Sequence, residues 1–161
     1  MVIKSDILLK GAVWTETIEA LKHIFTKTTN YSVFMLALSI GIMYDERLTF
    51  EKEDDGEKSV PRNVINNNDH GKLDFYFQAA ILTTQTENFE EDTRLDLAFG
   101  DDTSFNKIGF LTEFANFGVT KLHEEIGDTS VITMENIKNF CAASVEGRNL
   151  EIDALPDEIL L

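Results

Sequence analysis

The sequence predicts a mostly α fold: a single-domain bundle of about five helices around a buried apolar central helix, with room for a minor β element. Three observations carry that prediction. The 14 residues from Tyr31 to Tyr44, YSVFMLALSIGIMY, are apolar on nearly every side, the mark of a helix enclosed by its own domain. Several other segments repeat apolar residues at spacings of three and four, which places them on one helical face. A chain of 161 residues is long enough to bury a core, since a domain of about 150 residues removes roughly 70% of its unfolded surface from water.

Taken in order, Thr15 is placed to cap a first helix running through Ile18, Leu21, Ile24 and Phe25. Thr28, Thr29 and Asn30 then offer capping oxygens for the central helix, Tyr31 to Tyr44, in which Ser39 and Gly41 are notches that let a neighbouring helix approach. A β reading of this run, suggested by Val33, Ile40 and Ile42, loses on length. From Asp45 to Lys58 the chain turns polar and reads as an exposed loop. The stretch 59–68, SVPRNVINNN, reads as a short turn or helical piece, because asparagine side chains compete for local backbone groups.

Gly71 precedes a third helix, in which Leu73, Phe77, Ala80 and Ile81 share a face. In the acidic stretch ENFEEDTRLDLAFGDD, Leu95, Leu97 and Phe99 alternate, which suits a short strand or extended connector. Thr103 or Ser104 is placed to cap the longest helix, with Ile108, Leu111, Ala115, Val119, Leu122 and Ile126 as its stripe and Gly127 as its stop. Thr133 opens a last helix, TMENIKNFCAAS. The domain so delimited is 1–147, followed by an acidic and apolar tail, 148–161.

Charge narrows the function classes. With 29 acidic and 14 basic residues the formal net charge is −15, which argues against a phosphate-backbone binder, whose Lys and Arg must replace counterions. The same excess keeps a protein soluble and speeds encounter with basic surfaces. The one cysteine, Cys141, has no intrachain partner and sits in an apolar helical setting, in keeping with a reducing, cytoplasmic location. The first residues lack the basic start, long apolar centre and cleavage site of a signal peptide. A 14-residue apolar run falls short of the roughly 20 needed to span a bilayer, so no membrane association is expected.

No motif points to chemistry. EKEDDGEK gathers five carboxylates around Gly56, but a calcium loop with Gly56 in sixth place would put Arg62 where the bidentate Glu belongs. His123 stands beside Glu124 and Glu125, yet the second histidine of a zinc helix would fall on Gly127. The turn formed by Asn68, Asp69, His70 and Gly71 is ordinary turn chemistry. Glu113 lies beside Thr112 and Asn116 on what the spacing makes a polar arc. The nine glycines form no phosphate loop, and no nucleophile elbow occurs. No metal and no cofactor are expected.

The order of elements resembles a family of small accessory proteins associated with DNA phosphorothioation systems, the type called phosphorothioation-associated protein four. The resemblance is carried by Tyr31, Phe34, Ala37, Ser39 and Gly41 in the central helix and by Phe110, Thr112, Glu113, Phe114, Ala115, Asn116 and Gly118 in the long one, and it covers roughly Ile24 to Asp128. It implies a place in a prokaryotic DNA-modification or anti-phage defence cluster and supplies no catalytic residues. The sequence departs from the family in the loop after the central helix, which is basic there and acidic here.

The function expected is thus a non-enzymatic accessory subunit that binds a larger protein of such a complex without contacting nucleic acid directly. Its partner-binding residues are read as Leu155, Ile159, Leu160 and Leu161 of the tail and Asp54 and Asp55 of the acidic loop. Two alternatives stand beside it. One is an acidic regulator that mimics nucleic acid in a basic groove, and the other is a small enzyme with a site near Glu113, His123 and the Asn68–Gly71 turn.

Overall fold

The computed structural model describes residues 3–25, 29–50, 56–100 and 104–145. The chain is mostly α. In order, the described elements are β1 (Ile7–Lys10), α1 (Ala12–Ile24), α2 (Asn30–Tyr44), β2 (Glu57–Val60), α3 (Arg62–Asn68), α4 (Lys72–Thr83), α5 (Glu91–Phe99), α6 (Lys107–Glu124) and α7 (Ser130–Val145). They fall into two compact units, Met1–Glu124 and Glu125–Leu161. Among the described residues no helix is long and apolar enough to cross a membrane.

In the first unit α2 is the centre, and α6 packs along it. Thr29 caps α2, its hydroxyl accepting from the Ser32 amide at 3.1 Å. Tyr31, Val33, Phe34, Ala37, Leu38, Ile40 and Gly41 are all buried. The two helices cross antiparallel, with backbone against backbone: a Cβ on Gly41 would collide with the Phe114 carbonyl, and one on Gly118 would collide with the Ala37 carbonyl and lie 2.9 Å from the Gly41 nitrogen. Gly41 is thus the notch its sequence position suggests. Ser39 is not. Its hydroxyl donates to Met35 O at 2.8 Å and accepts from the Tyr76 hydroxyl at 2.9 Å, tying α2 to α4.

Three local expectations are corrected. Thr15 does not cap α1, which begins at Ala12 after Gly11; Gly11 takes φ 98°, a region open to glycine, and Thr15 lies within the first turns. Leu95 to Phe99 do not form a strand but the end of α5, because Glu91 and Asp92 favour a helix start and Leu97 and Ala98 are the residues that face inward. The minor β element lies elsewhere. β1 pairs antiparallel with β2 in the register Ile7↔Val60 to Lys10↔Glu57, so the end of the predicted loop is a strand. The alternation is visible in β1, where Ile7 and Leu9 are buried and Leu8 is exposed.

The starts of α6 and α7 shift for a common reason, the nearest side-chain oxygen at the right offset. Asn106 caps α6, its Oδ1 accepting from Gly109 N at 3.0 Å; Thr103 lies outside the described residues. α7 starts at Ser130, not Thr133, with the Thr129 hydroxyl accepting from Ile132 N at 3.3 Å. Within the second unit, Thr133 Oγ1 instead accepts from Gly127 N at 3.0 Å, and Asn136 Nδ2 donates to Glu125 O at 3.2 Å. Cys141 is half-buried, and burial, followed by the charge of Glu125, pushes its thiol above the ordinary range.

The crossing yields the first prediction. Gly118→Ala places a methyl group where the Ala37 carbonyl stands, and neither helix backbone can yield cheaply. It should lower the unfolding free energy by about 3 kcal/mol, read as a lower urea midpoint at unchanged slope.

Candidate functional site

The buried polar groups of the first unit begin with Asn116, which is not on a polar arc. It is 8% exposed, accepts from Trp14 Nε1 at 2.9 Å and donates to Leu48 O at 3.0 Å, so one amide joins α1, α6 and the segment after α2. Leu48 N in turn donates to Glu113 O at 3.0 Å. Just upstream, α2 ends in a left-handed Asp45 at φ 53°, with Asp45 N on Ile42 O at 3.1 Å and Glu46 N on Gly41 O at 3.2 Å, the Schellman pattern. The Asp45 carboxylate accepts from Gln85 N at 2.6 Å. Residues 45–48 are therefore held at both ends, and Arg47 is aimed by the backbone.

Arg47 is the centre of the candidate site. Nη1 donates to Glu113 Oε2 at 3.2 Å, and Nη2 donates to Glu87 Oε1. The guanidinium lies 5.0 Å from the Phe110 ring centre and 5.7 Å from that of Phe114. Its side chain is 19% exposed, whereas the two carboxylates are 36% and 37% exposed, so the cation sits below its anions. Being partly in water, these ion pairs each contribute at most about 1 kcal/mol, and their larger role is positional.

Around this triad is an open pocket of about 320 Å³, lined also by Phe89, Phe105, Asn106, Gly109 and Phe110. The aromatic lining continues into the core: Phe89 meets Phe105 at 6.3 Å and Phe105 meets Phe110 at 5.6 Å, and behind them Phe110 meets the buried Phe114 at 5.1 Å, all edge to face. Phe77, fully buried, backs Phe105 and Phe110. The wall that carries Glu87 and Phe89 is the connection from α4 to α5, and Arg94 shapes it. Arg94 donates to the carbonyls of Ile81 and Thr84 at 2.8 Å, Glu87 at 2.9 Å and Phe89 at 3.3 Å, with its guanidinium 5.7 Å from the Phe89 ring centre.

The residues singled out from sequence fall as follows. Glu113 is in this pocket, bound to Arg47. His123 stands ten residues further along α6, about 15 Å by helical rise, with Nδ1 3.3 Å from the Thr17 hydroxyl and Nε2 3.5 Å from Glu16. The Asn68–Gly71 turn belongs to a third place: Asp69 accepts from Gly71 N at 3.1 Å, Leu73 N at 3.0 Å and the Tyr31 hydroxyl at 2.9 Å, so it starts α4. These three do not converge. Among the described residues no group of His, Cys, Asp and Glu is placed to hold a metal ion. Asp54, Asp55, Leu155, Ile159, Leu160 and Leu161 lie outside the described residues.

Nothing in their local sequence marks Arg47, Glu87, Phe89 or Phe105 as members of a site. Arg94 alone carries a local signal, as the lone cation in the acidic stretch 87–102. Compared with protein-family models, curated proteins and solved structures, the chain matches none.

Two outcomes follow. Arg94→Lys replaces a planar fork with a single point charge and strips donors from several carbonyls, so it should cost about 2 kcal/mol of stability, with faster hydrogen exchange across residues 84–90. Burial, and then the Asp69 carboxylate, raise the Tyr31 hydroxyl above its ordinary ionisation range. The unfolded chain releases that proton near pH ~10 while the folded chain keeps it, so stability should fall as pH rises past ~10. Denaturation series on the wild type and Tyr31→Phe should show part of this alkaline slope missing in the variant.

Proposed function

We propose that the protein is a non-enzymatic interaction subunit that binds a larger partner through that partner's basic surface. One observation carries this reading: a formal net charge of −15 on 161 residues. Such a field raises the encounter rate with a basic surface and repels nucleic acid, so the recognised face belongs to a protein. The packed α2–α6 scaffold supports it by supplying a rigid body on which a surface can be presented without an ordering cost.

The resemblance to phosphorothioation-associated proteins supports placing this partner in a prokaryotic DNA-modification or anti-phage defence complex in the cytoplasm. The lone cysteine agrees with a reducing compartment. Asp54 and Asp55, with Leu155, Ile159, Leu160 and Leu161, are the contacts that the sequence contributes to the same reading.

The test is capture from the native host with the full chain as bait, followed by binding measured at rising salt. The expected partner is larger and basic, is encoded among defence or DNA-modification genes, and associates about tenfold or more slowly in high salt than in low salt. A partner set without excess positive charge, or an association rate indifferent to salt, would sink the reading. Leu160→Asp with Leu161→Asp should weaken capture if the tail takes part.

A further inference from the structure

We propose that the Arg47 pocket receives a single arginine side chain presented by a basic partner protein. The inference rests on the reading of the protein as a binder of basic surfaces and names the place and the chemical group. Three properties of the pocket select a guanidinium.

Charge comes first. Arg47 contributes one positive charge and Glu87 and Glu113 two negative ones, so the pocket carries a net charge of −1, with the carboxylates nearer to solvent than the cation. Each carboxylate bonds Arg47 through one oxygen, Oε1 of Glu87 and Oε2 of Glu113, whereas an ionised carboxylate can accept through both. An anion entering here would meet two carboxylates first; both terminal nitrogens of Arg47 are engaged by them, and its one unpartnered donor, Nε, is buried beneath the surface.

The second property is the aromatic wall. Phe89 and Phe105 are only partly buried and line the pocket beside Phe110, whose ring Arg47 covers, while Arg94, outside the lining, lies 5.7 Å from the Phe89 ring centre. The fold already shows what such a wall accepts: a guanidinium over a phenyl face between carboxylates. Arginine suits a repeat of that arrangement better than lysine, because its planar group is weakly hydrated and stacks on rings.

The third is size and rigidity. About 320 Å³ is at the small end of ligand pockets, right for one side chain and short for a nucleotide cofactor. The Glu87–Phe89 wall is held by four Arg94 bonds, so little ordering accompanies entry.

Amide chemical shifts of the full chain, titrated with Nα-acetyl-L-argininamide, Nα-acetyl-L-lysinamide and sodium acetate, test the proposal. The arginine probe should move the amides of Phe89, Asn106 and Gly109 with millimolar affinity, tighter than the lysine probe, and acetate should leave them in place. Glu87→Gln should weaken the arginine probe about three- to fivefold. Asn106→Asp keeps the α6 cap, since Asp and Asn cap equally well, and adds a carboxylate to the pocket, so it should tighten binding by a similar factor.

Preference for acetate or for the lysine probe, or weaker binding of the arginine probe by Asn106→Asp, would overturn the proposal. Thermal midpoints of both variants separate loss of the pocket from loss of the fold. If a basic partner is captured but its affinity ignores both variants, the pocket assignment fails and the broader reading stands. If the arginine probe behaves as expected and no basic partner is found, the broader reading fails instead.

Discussion

Where α2 meets α6, no side chain separates the two backbones. Gly41 lies against the Phe114 carbonyl and Gly118 against the Ala37 carbonyl, and at neither glycine is there room for a methyl group. This contact dictates the geometry around it. Bringing two helices this close buries one face of α2 and the inward face of α6, and puts Phe34, Leu38, Leu111 and Phe114 into full burial. Polar groups caught by the approach must then find partners inside, as Trp14 and Asn116 do in each other.

The candidate site is a consequence of that crossing. With α2 fixed on α6, its C-terminal turn can go only where Asp45 and Leu48 are received, by Gln85 N on one side and by Glu113 O and Asn116 Nδ2 on the other. Arg47 lies between those anchors and therefore reaches Glu113 and the Phe110 face. Glu87 arrives from a different direction, on a connection shaped by Arg94. Two arginines thus have opposite tasks: Arg94 spends its donors on backbone carbonyls and builds a wall, while Arg47 meets side chains and gives the pocket its charge pattern.

The helices were legible to the extent that local chemistry settles them. The bounds of α2 and α4, the break after Gly71 and the end of α6 before Gly127 follow from apolar spacing and terminating residues, and all are found close to where those signals lie. The misreadings share a cause. Leu95, Leu97 and Phe99 alternate as a strand would, but the position of α4 decides which side of that segment is inside. β1 and β2 are four residues each and separated by two helices, so neither is recognisable without the other. Asn116 falls on a polar arc by spacing with Thr112 and Glu113, whereas its hydrogen-bond partners are Trp14 and Leu48, which come from 102 and 68 residues away.

By itself, the sequence determined the α-rich class, the central place of the Tyr31–Tyr44 helix, the glycine at its notch and the strongly acidic character, because each depends on residue type and on spacing within a few turns. In the sequence Glu113 is one carboxylate among many. Only the tertiary structure decided that it shares a pocket with Arg47, Glu87, Phe89 and Phe105, and that His123 and the Asn68–Gly71 turn belong elsewhere. The reason is physical: a pocket is made by residues from separate segments meeting in space, and that meeting is set by how closely α2 and α6 pack, a distance that periodicity does not encode.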